Sequence, residues 1–198
     1  IAEKVLLGSQ VIAEKHPEIE HMVLSSGDAP AITTDSVNLF FQQLVKNLDC
    51  DVLLPAVPED CTLEIFPEHG RVVAKLKDIC VYPGEMFALK HSIIPRLKNE
   101  IDQFTVRRRQ FNRRKDTTRL IPIIRYLARK PSLWLLILQY LTGNLDLMGL
   151  EQTFSRVYSM KFKCLMVPEP GFGMDLDLPE DYQKLTRYIE SRPVSLPG

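Results

Sequence analysis

Val37, Phe40, Phe41, Leu44, Val45 and Leu48 recur at i, i+3, i+4, i+7, i+8 and i+11, the spacing of one apolar face on a helix of 3.6 residues per turn. Thr34 is placed to cap the start of this helix, and Asp35 suits its first turn. On either side the pattern changes. Met22 to Ser25, within "EHMVLSSGDAP", is a short apolar run that stops in a turn at Gly27-Asp28-Ala29-Pro30. "CDVLLPAV" is a second, unbroken apolar run. Strand, helix and strand, with strands apolar on both faces, predict an α/β fold whose sheet is mostly parallel and covered by helices on both sides. "RVVAKLK" and "DICVY" alternate more and predict a short antiparallel pair; at "PGEMFALK" the regular rhythm breaks.

From residue 92 to 159 the pattern is almost entirely helical. Segments over Ile93–Phe104, Leu120–Ala128, Leu133–Leu141 and Leu147–Tyr158 are punctuated by Pro131 and Gly143. Ser132 and Asp146 are available as caps. "KFKCLMV" returns to a strand, "PGFGMDLDLPEDY" follows, and "LPEDYQKLTRYIE" closes as a helix. The organisation expected is a single domain over 1–198 with a helical insertion, 92–159, before the last strand.

Composition narrows the class. Of 198 residues 45% are hydrophobic, and 25 basic residues balance 25 acidic ones, so no global charge argues for nucleic acid or an anionic membrane as a partner. Cys50, Cys61, Cys80 and Cys164 show no C-x-x-C spacing, which fits reduced thiols in a cytoplasmic protein rather than a structural zinc site. The most apolar run, "LWLLILQYL", is about half of the roughly 20 residues a membrane span needs. His16, His21, His69 and His91 fall on surfaces or in turns, and no G-x-S-x-G or Cys-His pattern suggests acyl transfer.

The candidate chemistry lies in carboxylates. Asp28 follows one expected strand, and Asp175 and Asp177 follow another. In an open α/β sheet, ligands bind beyond the carboxyl ends of the strands. Carboxylates meeting there suit Mg²⁺, which takes one or two of them and fills its octahedron with phosphate oxygens and water. Plainer readings stand beside this one. Asp28 is an ordinary turn former, and Asp177 with Glu180 makes a D-x-x-E capping box for the last helix. Capping leaves Asp175, and the Gly171-Phe172-Gly173 approach to it, without a purpose.

"VLSSGDAPAITTDSV" followed much later by "GFGMDLDLPEDYQKL" resembles the nucleotidyltransferases of the molybdenum-cofactor guanylyltransferase (MobA-like) type. "YPGEMFALK" and a basic "RRK" add to the likeness, which spans about Gly8 to Glu190. The resemblance implies a Rossmann-like, GT-A-like sheet and a Mg²⁺-dependent (or Mn²⁺-dependent) enzyme. Such an enzyme moves a nucleoside monophosphate from an NTP to a small, phosphorylated acceptor and releases pyrophosphate. It implies Asp28 and Asp177 as metal ligands with Asp175 as an alternate or outer-shell partner, and no side-chain nucleophile. Gly27 would let the backbone approach the nucleotide, Gly84 and Glu85 would lie near the acceptor, and Arg113 and Lys115 would contact phosphate. The basic run has an equally ordinary reading as a solvated loop.

One departure is large. The Gly-rich loop of the form L-A-G-G-x-G-x-R-M that opens such domains has no counterpart here. "IAEKVLLGSQVIAEKHPEIEHMV" looks instead like the helix that precedes the G-D-x-P strand, so the chain is expected to lack the N-terminal portion of the domain. Two alternatives stay open. D-x-D is also the metal motif of sugar-nucleotide-dependent glycosyltransferases, although there it usually follows a mid-domain strand. The chain could instead be a non-catalytic relative acting through its helical block, with Leu133, Trp134, Leu136, Ile137 and Tyr140 as a docking face. Pairing of two subunits through that block would suit the enzyme reading too.

Overall fold

The computed structural model describes residues 2–67, 71–111, 121–176 and 179–191. A helix α1 (Ala2–Lys15) leads into β1 (His21–Ser25), α2 (Thr34–Val45) and β2 (Val52–Pro58), then the short helix α3 (Glu59–Leu63). Three strands follow, β3 (Ala74–Lys75), β4 (Cys80–Pro83) and β5 (Met86–Lys90). The helices α4 (Ile94–Phe111), α5 (Ile121–Leu127), α6 (Trp134–Leu141) and α7 (Leu147–Tyr158) precede β6 (Phe162–Met166), and α8 (Pro179–Ser191) comes last.

The sheet corrects the expected topology. Its order is β1-β5-β2-β4-β3, with β6 on β2. Only the β2–β6 pair is parallel; β1–β5, β2–β5, β2–β4 and β3–β4 are all antiparallel. The sheet is thus mostly antiparallel, not the mostly parallel Rossmann-like arrangement expected. The cause is β5. "MFALK", where the rhythm broke, is a strand inserted between β1 and β2. β1, β2 and β6 do run in one direction, but β1 and β2 are not neighbours. An apolar run shows that both faces of a strand are covered; it does not show which strand lies beside it.

Helices do cover both faces. Alternate residues of β2 point to opposite sides. Leu53 and Val57 pack with Phe40 and Leu44 of α2. Val52 faces α1 and α4 through Val5, Ile94 and Leu97, and Ala56 faces α6 and α7 through Leu136, Leu150 and Phe154. The cap of α2 is Thr33, one residue before the expected Thr34, in a reciprocal box with Ser36. Asp146 caps α7 as expected, accepting from the Gly149 amide at 2.7 Å. Ser132 falls inside a 3-10 turn (Pro131–Leu133) and caps nothing. The proposed docking face also shifts. Leu133 and Leu136 are buried, while Trp134, Leu135, Leu138 and Leu141 form the exposed side of α6. Among the described residues no helix is long and apolar enough to cross a membrane.

Candidate functional site

The site begins at a fault in the sheet. Between the pairs Leu53↔Ala88 and Ala56↔Pro83, β2 advances three residues while its partner advances five. The two extra residues include Gly84 and Glu85, which bulge from the ladder and re-aim the chain, as bulges do. The Gly84 amide still donates to Pro55 O at 3.1 Å. Glu85 turns away: its amide donates to Phe172 O at 3.0 Å, and its carbonyl accepts from the Ser26 amide at 2.8 Å. One residue thereby joins the loop after β1 to the loop after β6, at the edge where both strands end.

A third bond completes the junction. The Leu176 amide donates to Asp28 O at 2.7 Å, so the two carboxylate-bearing loops meet backbone to backbone although about 150 residues separate them in sequence. Asp28 is exposed, and its carboxylate accepts a hydrogen bond from the Ser26 hydroxyl. Gly27 beside it is open, with nothing within 4 Å of where a Cβ would stand.

Asp175 has a different setting. Its side chain is 4% exposed and forms an ion pair with Arg71, whose Nη2 also donates to Asp175 O at 3.2 Å. Burial acts to lower the Arg71 pKa, but the hydrogen bond and charge of Asp175, with the charges of Glu85 and Asp181, outweigh it and hold the guanidinium above its usual value. Arg71 therefore stays charged, and one cation faces three carboxylates. Glu85 itself is buried.

The glycines here serve packing rather than mobility. A Cβ on Gly84 would meet the Phe172 ring at 2.7 Å, one on Gly171 would meet Ala31 O at 2.5 Å, and one on Gly173 would meet the Tyr82 ring at 2.2 Å. Phe172 is fully buried and stacks on Phe40 of α2 at 5.8 Å. The loop after β6 is thus pressed onto the core. Packing is the purpose that capping left open for the Gly171-Phe172-Gly173 approach to Asp175, and the space beside Gly84 is taken by Phe172.

Asp177, Arg113 and Lys115 lie outside the described residues, as does His69. Among the described residues no three His, Cys, Asp or Glu side chains gather as a metal-binding group. Tyr82, packed against Gly173, and Cys61 are poor nucleophiles: burial pushes Tyr82 up to about 12 against the opposing hydrogen bond with Thr62, and burial raises Cys61. Arg71 is the residue that sequence reasoning missed. It stands alone in "EHGRVV", and its partner is 104 positions away, so no local spacing marks it.

No family model matches the sequence, and no curated protein matches it. Among solved structures, a hypothetical transferase from Thermus thermophilus matches with a TM-score of 0.66 and 22% identity, over 91% of this chain and 68% of that one. At that identity the likeness is one of fold: this chain is similar in architecture to that protein.

Proposed function

We propose that the chain carries residues of a MobA-like nucleotidyltransferase site, acting on an NTP and a small, phosphorylated acceptor. The observation that carries the reading is the Leu176–Asp28 backbone bond. It ties the G-D-x-P loop to the segment that continues into Asp177, at the sheet edge where β1, β2 and β6 end. The fold likeness to a protein described as a hypothetical transferase adds support of a general kind.

The donor set fits a hard divalent cation. Asp28 offers an exposed carboxylate, held in place by Ser26, and Mg²⁺ needs only one or two such groups beside phosphate and water. When bound, Mg²⁺ would supply charge neutralisation on the phosphate oxygens. Asp28 and Asp177 are the residues to hold it; Mn²⁺ would serve in its place. The other residues bind and orient. Gly27 leaves the backbone open to the nucleotide. Arg71 neutralises buried Asp175 and fixes the backbone of the loop on which Leu176 and Asp177 follow. Glu85 spans the two loops through its main chain. Positioning and charge stabilisation suffice for phosphoryl chemistry without a covalent intermediate.

The test is Mn²⁺ binding by paramagnetic relaxation, with and without each of the four NTPs, on the parent chain, Asp28→Ala and Asp177→Ala. The reading expects binding strengthened by one NTP and lost in both variants. Binding that is equal in all three chains would reduce Asp28 to a turn former and Asp177 to a cap.

A further inference from the structure

We infer that the outer side of α5 and α6 is a docking surface for an anionic lipid bilayer, which the chain would meet peripherally. A helix on a folded surface normally turns its polar residues outward. α6, "WLLILQYL", does the reverse. Leu136 faces the core, and the solvent side consists of Trp134, Leu135, Leu138 and Leu141, each between 58% and 64% exposed. Met148, at the start of the neighbouring α7, is likewise exposed, at 64%. Contiguous apolar surface of this kind marks a contact site.

Charge selects the occupant. α6 itself has no charged residue, and from 121 to 145 the sequence holds Arg125, Arg129 and Lys130 and no acid. Arg125 and Arg129 are exposed on and just beyond α5, which packs beside α6. Lys130 is committed to Glu100 at 2.9 Å. Over 103–145 the sequence has ten basic residues and one acidic, in a chain whose charges balance overall. In a symmetric dimer built on this face the basic flank of one copy would meet that of the other. An anionic headgroup layer complements it instead. Apolar residues at the acyl boundary with flanking arginines at headgroup level is how an interfacial helix binds.

Trp134 suits that setting. Its indole Nε1 donates to Ala128 O at 2.8 Å, while the ring stays exposed; a satisfied polar end and an apolar body are what tryptophan brings to a membrane interface. It is also the single tryptophan of the chain, so its emission reports on this face alone.

The experiment is co-sedimentation with vesicles of phosphatidylcholine alone or with phosphatidylserine, read together with Trp134 emission. The parent chain should bind the phosphatidylserine vesicles with a blue shift, and salt should weaken that binding as the Debye length falls from about 10 Å toward about 3 Å. Leu138→Glu, at a position already exposed and so without cost to the core, should weaken it at least about tenfold by placing a charge at the acyl boundary. Arg125→Glu/Arg129→Glu should weaken it while leaving the fold intact by circular dichroism. Asp28→Ala should bind vesicles like the parent. Failure to bind anionic vesicles, equal binding by Leu138→Glu, or equal binding to neutral vesicles would overturn the inference. So would a concentration-dependent blue shift without vesicles that Leu138→Glu abolishes, because a second copy would then be covering the face.

Discussion

Gly173→Ala tests the claim that the "GFG" segment is packed rather than mobile. The new Cβ would stand 2.2 Å from Tyr82 Cε2, with two further ring atoms within about 3.2 Å. Carbon atoms pack best at about 3.5–4.0 Å, so more than an ångström of movement is required. Tyr82 is 1% exposed, and its hydroxyl is 2.5 Å from Thr62 Oγ1, itself fully buried. A ring that retreats gives up a hydrogen bond worth about 1 kcal/mol on top of overpacking that costs about 1–3 kcal/mol. The sum is about 2–4 kcal/mol. Gly27→Ala is the control: its Cβ meets nothing, so stability should be unchanged or rise by a few tenths of a kcal/mol. The assay is urea denaturation followed by circular dichroism. The double variant Gly173→Ala/Tyr82→Leu should lose at least about 1 kcal/mol less than the two single losses together, since residues in contact couple. If Gly173→Ala lies within about 0.5 kcal/mol of Gly27→Ala, the packing argument is wrong.

Three further outcomes follow from the same structure. Arg71→Gln strands the buried Asp175 carboxylate and should cost about 3–5 kcal/mol; adding Asp175→Asn should recover part of the loss, measured by the shift in urea midpoint. Glu151 accepts from the Cys164 amide at 2.9 Å and from Lys163 Nζ at 2.8 Å. Glu151→Ala should therefore cost about 1–3 kcal/mol and speed hydrogen exchange at Cys164, with Glu151→Gln milder. Finally, burial raises the folded pKa of Cys164 from 9.0 to about 12 and that of Tyr82 from 10.0 to about 12. Both raised groups favour the fold fully below their unfolded values, and that contribution is lost as pH rises through the folded ones. Stability from these groups should hold to about pH 9 and fall toward pH 12, less steeply in Tyr82→Phe; a fall that Tyr82→Phe leaves unchanged would exclude the phenol as a source.

Much of the local structure was legible. The apolar spacing gave the existence of α2, though the helix ends at Val45 and only Phe40 and Leu44 of the expected face are buried, while Phe41, Val45 and Leu48 are exposed; Asp146 caps α7 as its position suggested. Three of the four helices between β5 and β6 stand near their expected limits, whereas α4 runs on to Phe111, seven residues past the expected Phe104 and through Arg107–Arg109 of the basic run. The two carboxylate loops were expected at one sheet edge, and the Leu176–Asp28 bond joins them. What escaped was of another kind. β5 is five residues with a bulge before it, too short for periodicity to declare. The outward face of α6 was misjudged because every residue but Gln139 and Tyr140 is aliphatic or tryptophan, and a helix apolar all round carries no sign of which side the core will take.

What depends on neighbours a few residues apart could be read directly from the chain. Those neighbours set where helices start, which strands are covered on both faces, and that β1, β2 and β6 alternate with helices. These follow from backbone periodicity and capping, which act within one or two turns. Long-range packing alone reveals that β5 divides β1 from β2, that Arg71 neutralises a carboxylate 104 residues away, and that Gly84, Gly171 and Gly173 make room for Phe172, Ala31 and Tyr82. Each of these is a contact between distant segments. Its energy depends on shape and burial at the meeting point, and neither is written in the residues to either side.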